Sequence, residues 1–134
     1  MFIDIEQIYT YGRFYPEIKK HVNWWICITD YVIYDTETIV YNFGYADEKL
    51  IDADGIFVPL FKTDMIELEK EFMQTIPLGN RTDPFPYDDI PNFDRNFKIY
   101  IENHFLIRDW YDFEKRHLCN DAIEWCKLHN FRFH

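Results

Sequence analysis

Four glycines in 134 residues leave little room for the common forms of phosphate and acyl chemistry. No Gly-x-Ser-x-Gly elbow, phosphate-cradling loop or dinucleotide fingerprint is present, and each needs glycines at fixed spacing so that backbone can turn sharply or approach the ligand. Cysteine is equally sparse. Cys27, Cys119 and Cys126 are an odd count that does not suit a closed disulfide framework, and they read as reduced thiols packed as small apolar groups. Bases are outnumbered, with 14 Lys and Arg against 24 Asp and Glu. The resulting net charge of −10 opposes direct binding to nucleic acid, whose affinity comes from clustered Lys and Arg releasing counterions, and it disfavours anionic membranes for the same reason. Apolar runs end after a few residues, well short of the ~18 that suggest a membrane span. The opening Met1-Phe2-Ile3-Asp4-Ile5-Glu6 lacks the basic flank and apolar core of a signal peptide, so a cytoplasmic location is expected.

What the chain does have is apolar and aromatic content, at 48% and 20% of its residues. That is too much for intrinsic disorder, and at this length one globular domain spanning residues 1–134 is expected, with no linker inside it. Ile5, Ile8 and Tyr9 suggest a short helical or turn-rich lead-in. Residues 24–34 are rich in aromatic and β-branched side chains, which predicts a strand. Asp35-Thr36-Glu37-Thr38 reads as a turn and Ile39-Val40-Tyr41-Asn42 as a returning strand, so the pair predicts a hairpin. An acidic connector over 47–54 leads to a third β-rich run, 55–60, in which Pro59 marks a strand end or a sheet edge.

The period then changes. Met65, Leu68, Phe72 and Ile76 recur at three- and four-residue intervals behind Asp64 and Glu67, which predicts a capped amphipathic helix over 65–76. Four of the six prolines fall within 77–92, predicting a loop. Phe97, Tyr100, Ile101 and Phe105 mark a second helical stripe, Trp110 and Phe113 follow on a helix or helical turn, and Leu118, Ala122, Trp125, Cys126 and His129 mark a last helix with Asn130 at its left-handed cap. The order predicts an α+β domain: an antiparallel sheet of about three to four strands in the first half, with one face packed against the C-terminal helices.

The acidity is concentrated. Residues 21–94 hold fifteen acids against four bases, a net −11, while the last forty residues are nearly neutral. Its purest part is Asp30, Asp35, Glu37, Asp47, Glu48, Asp52 and Asp54 against Lys49 alone, interleaved with Tyr31, Tyr34, Tyr41, Phe43 and Tyr45. Aromatic anchors dominate interface energy and complementary charge raises association rates, so Asp30, Asp35, Glu37, Tyr41, Tyr45, Asp47, Glu48, Asp52 and Asp54 form a candidate partner-binding face. The partner it suits is a basic protein, such as a nuclease or another nucleic-acid enzyme, and no cofactor is expected. Two other readings stand beside this one. Asp35 with Asp47-Glu48-Lys49 is similar to the carboxylates and lysine of a small metal-dependent nuclease or hydrolase. The charge could also serve solubility alone, in a purely structural module.

Metal sites fare less well. Asp52-Ala53-Asp54-Gly55 resembles part of a calcium loop, but Leu50 and Phe61 occupy positions where ligands belong. His117, Cys119, Cys126 and His129 are zinc-type ligands without the paired spacing of a finger or ribbon. Cys27 lies in an apolar strand pattern and reads as a core thiol rather than a nucleophile.

Arg95-Asn96-Phe97-Lys98, Leu106 through Trp110-Tyr111-Asp112-Phe113, and Ala122-Ile123-Glu124-Trp125-Cys126 together resemble the C-terminal pattern of the uncharacterised bacterial UPF family zero-one-five-eight. Tyr34-Asp35-Thr36-Glu37-Thr38 would stand at that family's hairpin turn, Val58-Pro59 at its strand end and Glu71-Phe72-Met73 in its next helix. Asn92-Phe93-Asp94 departs from the family's Gly-Ala-Phe, and the Pro-rich loop replaces one of its helices. The resemblance spans roughly residues 24–130 and implies an α+β layout, with no activity to carry over.

Overall fold

The aromatic run that begins at Trp24 forms sheet over only four residues before it turns. A computed structural model describes residues 2–16, 22–76 and 89–134. Within them, β2 (Trp24–Cys27) pairs antiparallel with β3 (Ile33–Asp35) on one side and with β4 (Phe57–Pro59) on the other. A second, parallel pair joins β1 (Arg13–Phe14) to β5 (Thr63–Asp64). The hairpin therefore exists, but it turns at residues 28–32, earlier than expected.

The segment expected to return as a strand is instead helix α2 (Thr36–Phe43), and the acidic connector is helix α3 (Glu48–Asp54). Each starts on an aspartate and stops on a glycine. Asp35 accepts from the Thr38 N–H at 2.7 Å and Asp47 from the Leu50 N–H at 3.1 Å, while Gly44 and Gly55 take the left-handed conformation, φ +77° and +76°, that ends a helix. These caps, together with Ile39 and Ile51 at buried positions, outweigh the β-propensity of Ile39-Val40-Tyr41.

Alternation along the strands then sorts the core. Trp25, Cys27 and Phe57 face α2 and α3, packing on Ile39 and Ile51. Ile26, with Ile33 and Val58, faces the opposite way, onto Ile5 and Ile8 of α1 (Ile5–Ile8) and onto Ala122, Trp125 and Cys126 of α6 (Ile107–Leu128). The sheet is thus covered on both faces, where one covered face was expected. Pro59 does lie at a sheet edge. Leu60 N–H bonds Trp24 O and Ile28 N–H bonds Ile56 O, so the intervening Pro59 turns its nitrogen to the unpaired side, where it has no proton to leave unsatisfied. Its carbonyl accepts from Trp125 Nε1 at 3.0 Å.

A second core forms where α4 (Met65–Thr75), α5 (Ile90–Asn103) and the first half of α6 meet, around Met65, Phe72, Met73, Phe93, Phe97, Trp110 and Leu118. Asp64 caps α4 by accepting from both Ile66 and Glu67 N–H. Of the expected Pro-rich loop, residues 77–88 lie outside the described residues, and residues 90–92 belong to α5. Phe105 does not continue the α5 stripe. It occupies the turn before α6 at φ +58° and is 92% exposed, with Leu106 N–H bonding back to Ile101 O. Asn130, also at φ +58°, ends α6 as expected. The chain then runs beside its own start, where Ile3 bridges Phe133. Gly12 closes the 3-10 turn Tyr9–Gly12 against the Phe61 ring, and a Cβ at that position would overlap the ring.

Leu118 is fully buried and Leu128 is mostly exposed on the same helix. Leu118→Ala is expected to lose about 2–5 kcal/mol of stability and Leu128→Ala to stay within about 0.5 kcal/mol, both read from urea denaturation.

Candidate functional site

Six of the seven acids between residues 30 and 54 collect on the α2/α3 layer, and most of them have structural work to do. Asp35 and Asp47 are N-caps. Glu48 Oε1 accepts from Thr36 Oγ1 and from Asn23 Nδ2, both at 2.8 Å, which brings the start of α3 against the start of α2. Asp54 accepts the Tyr45 hydroxyl at the other end of α3. Asp30 lies apart from these, on the β2–β3 turn, where it accepts from the Val32 N–H at 3.0 Å.

Two charge states respond to these contacts. The hydroxyl and backbone N–H of Thr38 hold the Asp35 carboxyl below its ordinary range. The hydrogen bond to Asp54 pushes the Tyr45 hydroxyl up, because it favours the protonated phenol.

Glu37 and Asp52 differ from the capping acids. Both are exposed, and neither makes a hydrogen bond or ion pair among the described residues. Glu37 and Tyr41 are four residues apart and share one outward face of α2, with Tyr41 89% exposed. Glu48 and Asp52 share a face of α3 in the same way and line a groove of about 370 Å³ together with Trp24, Pro59 and Lys62.

The metal-dependent reading gains nothing from this placement. Asp35 and Asp47 are committed to different helix starts, and no group of three His, Cys, Asp or Glu is placed to hold a metal among the described residues. The zinc-type side chains are dispersed as well. Cys126 is buried against the sheet, where desolvation pushes its thiol up to about 11, His129 packs on Trp125 and Phe131, and His117 packs on Phe113.

Two acids that no motif singled out, Glu69 and Glu114, are the most buried carboxyls in the described structure. A signal was present. Glu69 lies four residues after Met65 and three before Phe72, and Glu114 lies midway between Trp110 and Leu118, so both occupy apolar stripes. No family model, curated protein or solved structure matches the chain.

Asp35→Ala is expected to cost about 1 kcal/mol at neutral pH and Asp35→Asn much less, since asparagine caps a helix equally well. Because folding lowers the Asp35 pKa, the stabilisation from its charge is complete above the unfolded value and is lost as pH falls through the folded one. The gap in urea midpoint between wild type and Asp35→Ala should therefore stay constant from pH 7 to about pH 4 and narrow as pH falls below that.

Proposed function

We propose that this chain is a non-enzymatic acidic inhibitor or adaptor, of the immunity-protein, antitoxin or phage anti-defence kind, that docks its α2/α3 layer on a basic surface of a nucleic-acid enzyme. The observation that carries this reading is the outward face of α2, where Tyr41 stands almost fully exposed four residues from the unpaired Glu37. A tyrosine supplies large contact area at low conformational cost, and the carboxylates around it match the Arg and Lys that line a nucleic-acid cleft. Glu37 and Asp52 would take positions that phosphates otherwise occupy, as acceptors for guanidinium and ammonium donors. The capping acids Asp35 and Asp47 and the bridging Glu48 add to the negative potential while holding the helices that present this face. The resemblance of the helical motifs to UPF family zero-one-five-eight belongs to the same proposal as a shared layout and contributes no activity.

With a basic partner recovered at low ionic strength, Tyr41→Ala is expected to weaken binding by about 2 kcal/mol, roughly thirty-fold in Kd. The pair Glu37→Gln and Asp52→Asn should slow association and flatten its salt dependence. Calorimetry and stopped-flow association across a salt series read both effects. Binding that ignores salt and all three substitutions would reject the α2/α3 face and leave the charge as solubilising only.

A further inference from the structure

Two buried carboxyl groups and a partly buried third gather with two partly exposed cations in the three-helix half. Glu69 of α4 is 1% exposed and Glu114 of α6 is 3% exposed, and Asp94 joins them from α5. Arg13 of β1 pairs with Glu114. Lys98 of α5 sits with its Nζ 3.1 Å from Asp94 Oδ2 and 5.7 Å from the centre of the Tyr15 ring. Among the described residues, the charged and titratable groups that act on Glu69 are Tyr15, which follows β1, Asp94 and Lys98 from α5, and Glu114 from α6, with Arg13 of β1 behind Glu114.

The two ion pairs account for Asp94 and Glu114 and leave Glu69 with no ion-pair partner of its own among the described residues. An ionised carboxylate buried without a counter-ion is far costlier than its neutral form. Among the described residues Glu69 Oε1 also meets no donor, a severe penalty for a carboxylate and a mild one for a carboxylic acid. Asp94 Oδ1 is likewise buried with no donor among the described residues, and Asp94 is the neighbour that acts on Glu69 as a hydrogen-bond partner, an arrangement of two carboxyls that requires a proton on one of them. Asp94 already faces Lys98, so the proton belongs to Glu69. With Glu69 neutral, two carboxylates face two cations and the cluster balances.

We propose that a proton held by Glu69 is a built-in part of this fold, joining α4 to α5 through a hydrogen bond to Asp94, and that its loss in alkali is a switch that loosens the three-helix half. Burial first, and the bond to Asp94 second, push the Glu69 carboxyl up to about 9 from an ordinary 4.5. Between those two values the folded chain keeps a proton that the unfolded chain has lost. Stability from this group is therefore full below the unfolded value and declines as pH rises through the folded one. Burial raises Glu114 as well, against the lowering influence of Arg13, so Glu114 is the necessary control.

Urea midpoints of the full chain, Glu69→Gln and Glu114→Gln, measured from pH 5.5 to 9.5, test the switch. The wild-type midpoint should fall as pH rises. Glu69→Gln, which keeps the donor and cannot ionise, should remove most of that fall and exceed wild type at the alkaline end, while Glu114→Gln should retain it. Glu69→Gln and wild-type curves that run parallel would overturn the proposal. Carboxyl-carbon NMR of the wild-type chain reads the same group without a variant. A Glu69 midpoint above pH 8 supports the proposal and one near 4.5 overturns it.

Discussion

Burial of a stripe that takes every fourth residue of α6 holds the two halves of this protein together. Trp110, Glu114, Leu118, Ala122 and Cys126 are all buried and stand four residues apart along one 22-residue helix. At about 100° per residue, each step of four overshoots a full turn by about 40°, so the stripe winds by about 160° from Trp110 to Cys126. One end of α6 thereby faces α4 and α5, and the other faces the sheet on nearly the opposite side. The sheet and the three-helix core can share one helix because its buried stripe is not straight.

The same stripe explains why a carboxylate had to be accommodated. Glu114 takes a position that packing assigns to an apolar side chain, and Arg13 reaches it from β1. That pairing ties the parallel strands β1 and β5, which lie between the two cores, to the helix that spans them. Glu69 repeats the situation on α4 with no ion-pair partner of its own among the described residues. Buried polar groups of this kind contribute little net stability against an apolar core, but they penalise any packing that leaves them unpaired.

On the opposite side of the sheet the acids work locally. A short carboxylate ahead of a helix satisfies free N–H groups and complements the helix dipole, and this is what Asp35 and Asp47 do there, as Asp64 does for α4 in the three-helix half. Much of the negative charge of the first half therefore has a folding role, and its outward field is a by-product available for recognition. Only Glu37 and Asp52 of the candidate face stand outside these local bonds.

The periodicity of α4, the left-handed end of α6 and the edge position of Pro59 were legible in the sequence, because each follows from local spacing or from the chemistry of one residue. The α2/α3 layer was misread as a strand and a connector, since the β-branched and aromatic run at 39–41 looks like sheet until Asp35…Gly44 and Asp47…Gly55 are taken as helix limits. By itself the sequence determined the α+β class, the concentration of acid between residues 21 and 94, and the helical character of the second half. Tertiary structure alone decided that the sheet is covered on both faces, that α6 serves two cores, and that the buried Glu69 and Glu114 gather with Asp94 and two partly exposed cations. Those outcomes depend on contacts between residues tens of positions apart, and local propensity carries no information about them.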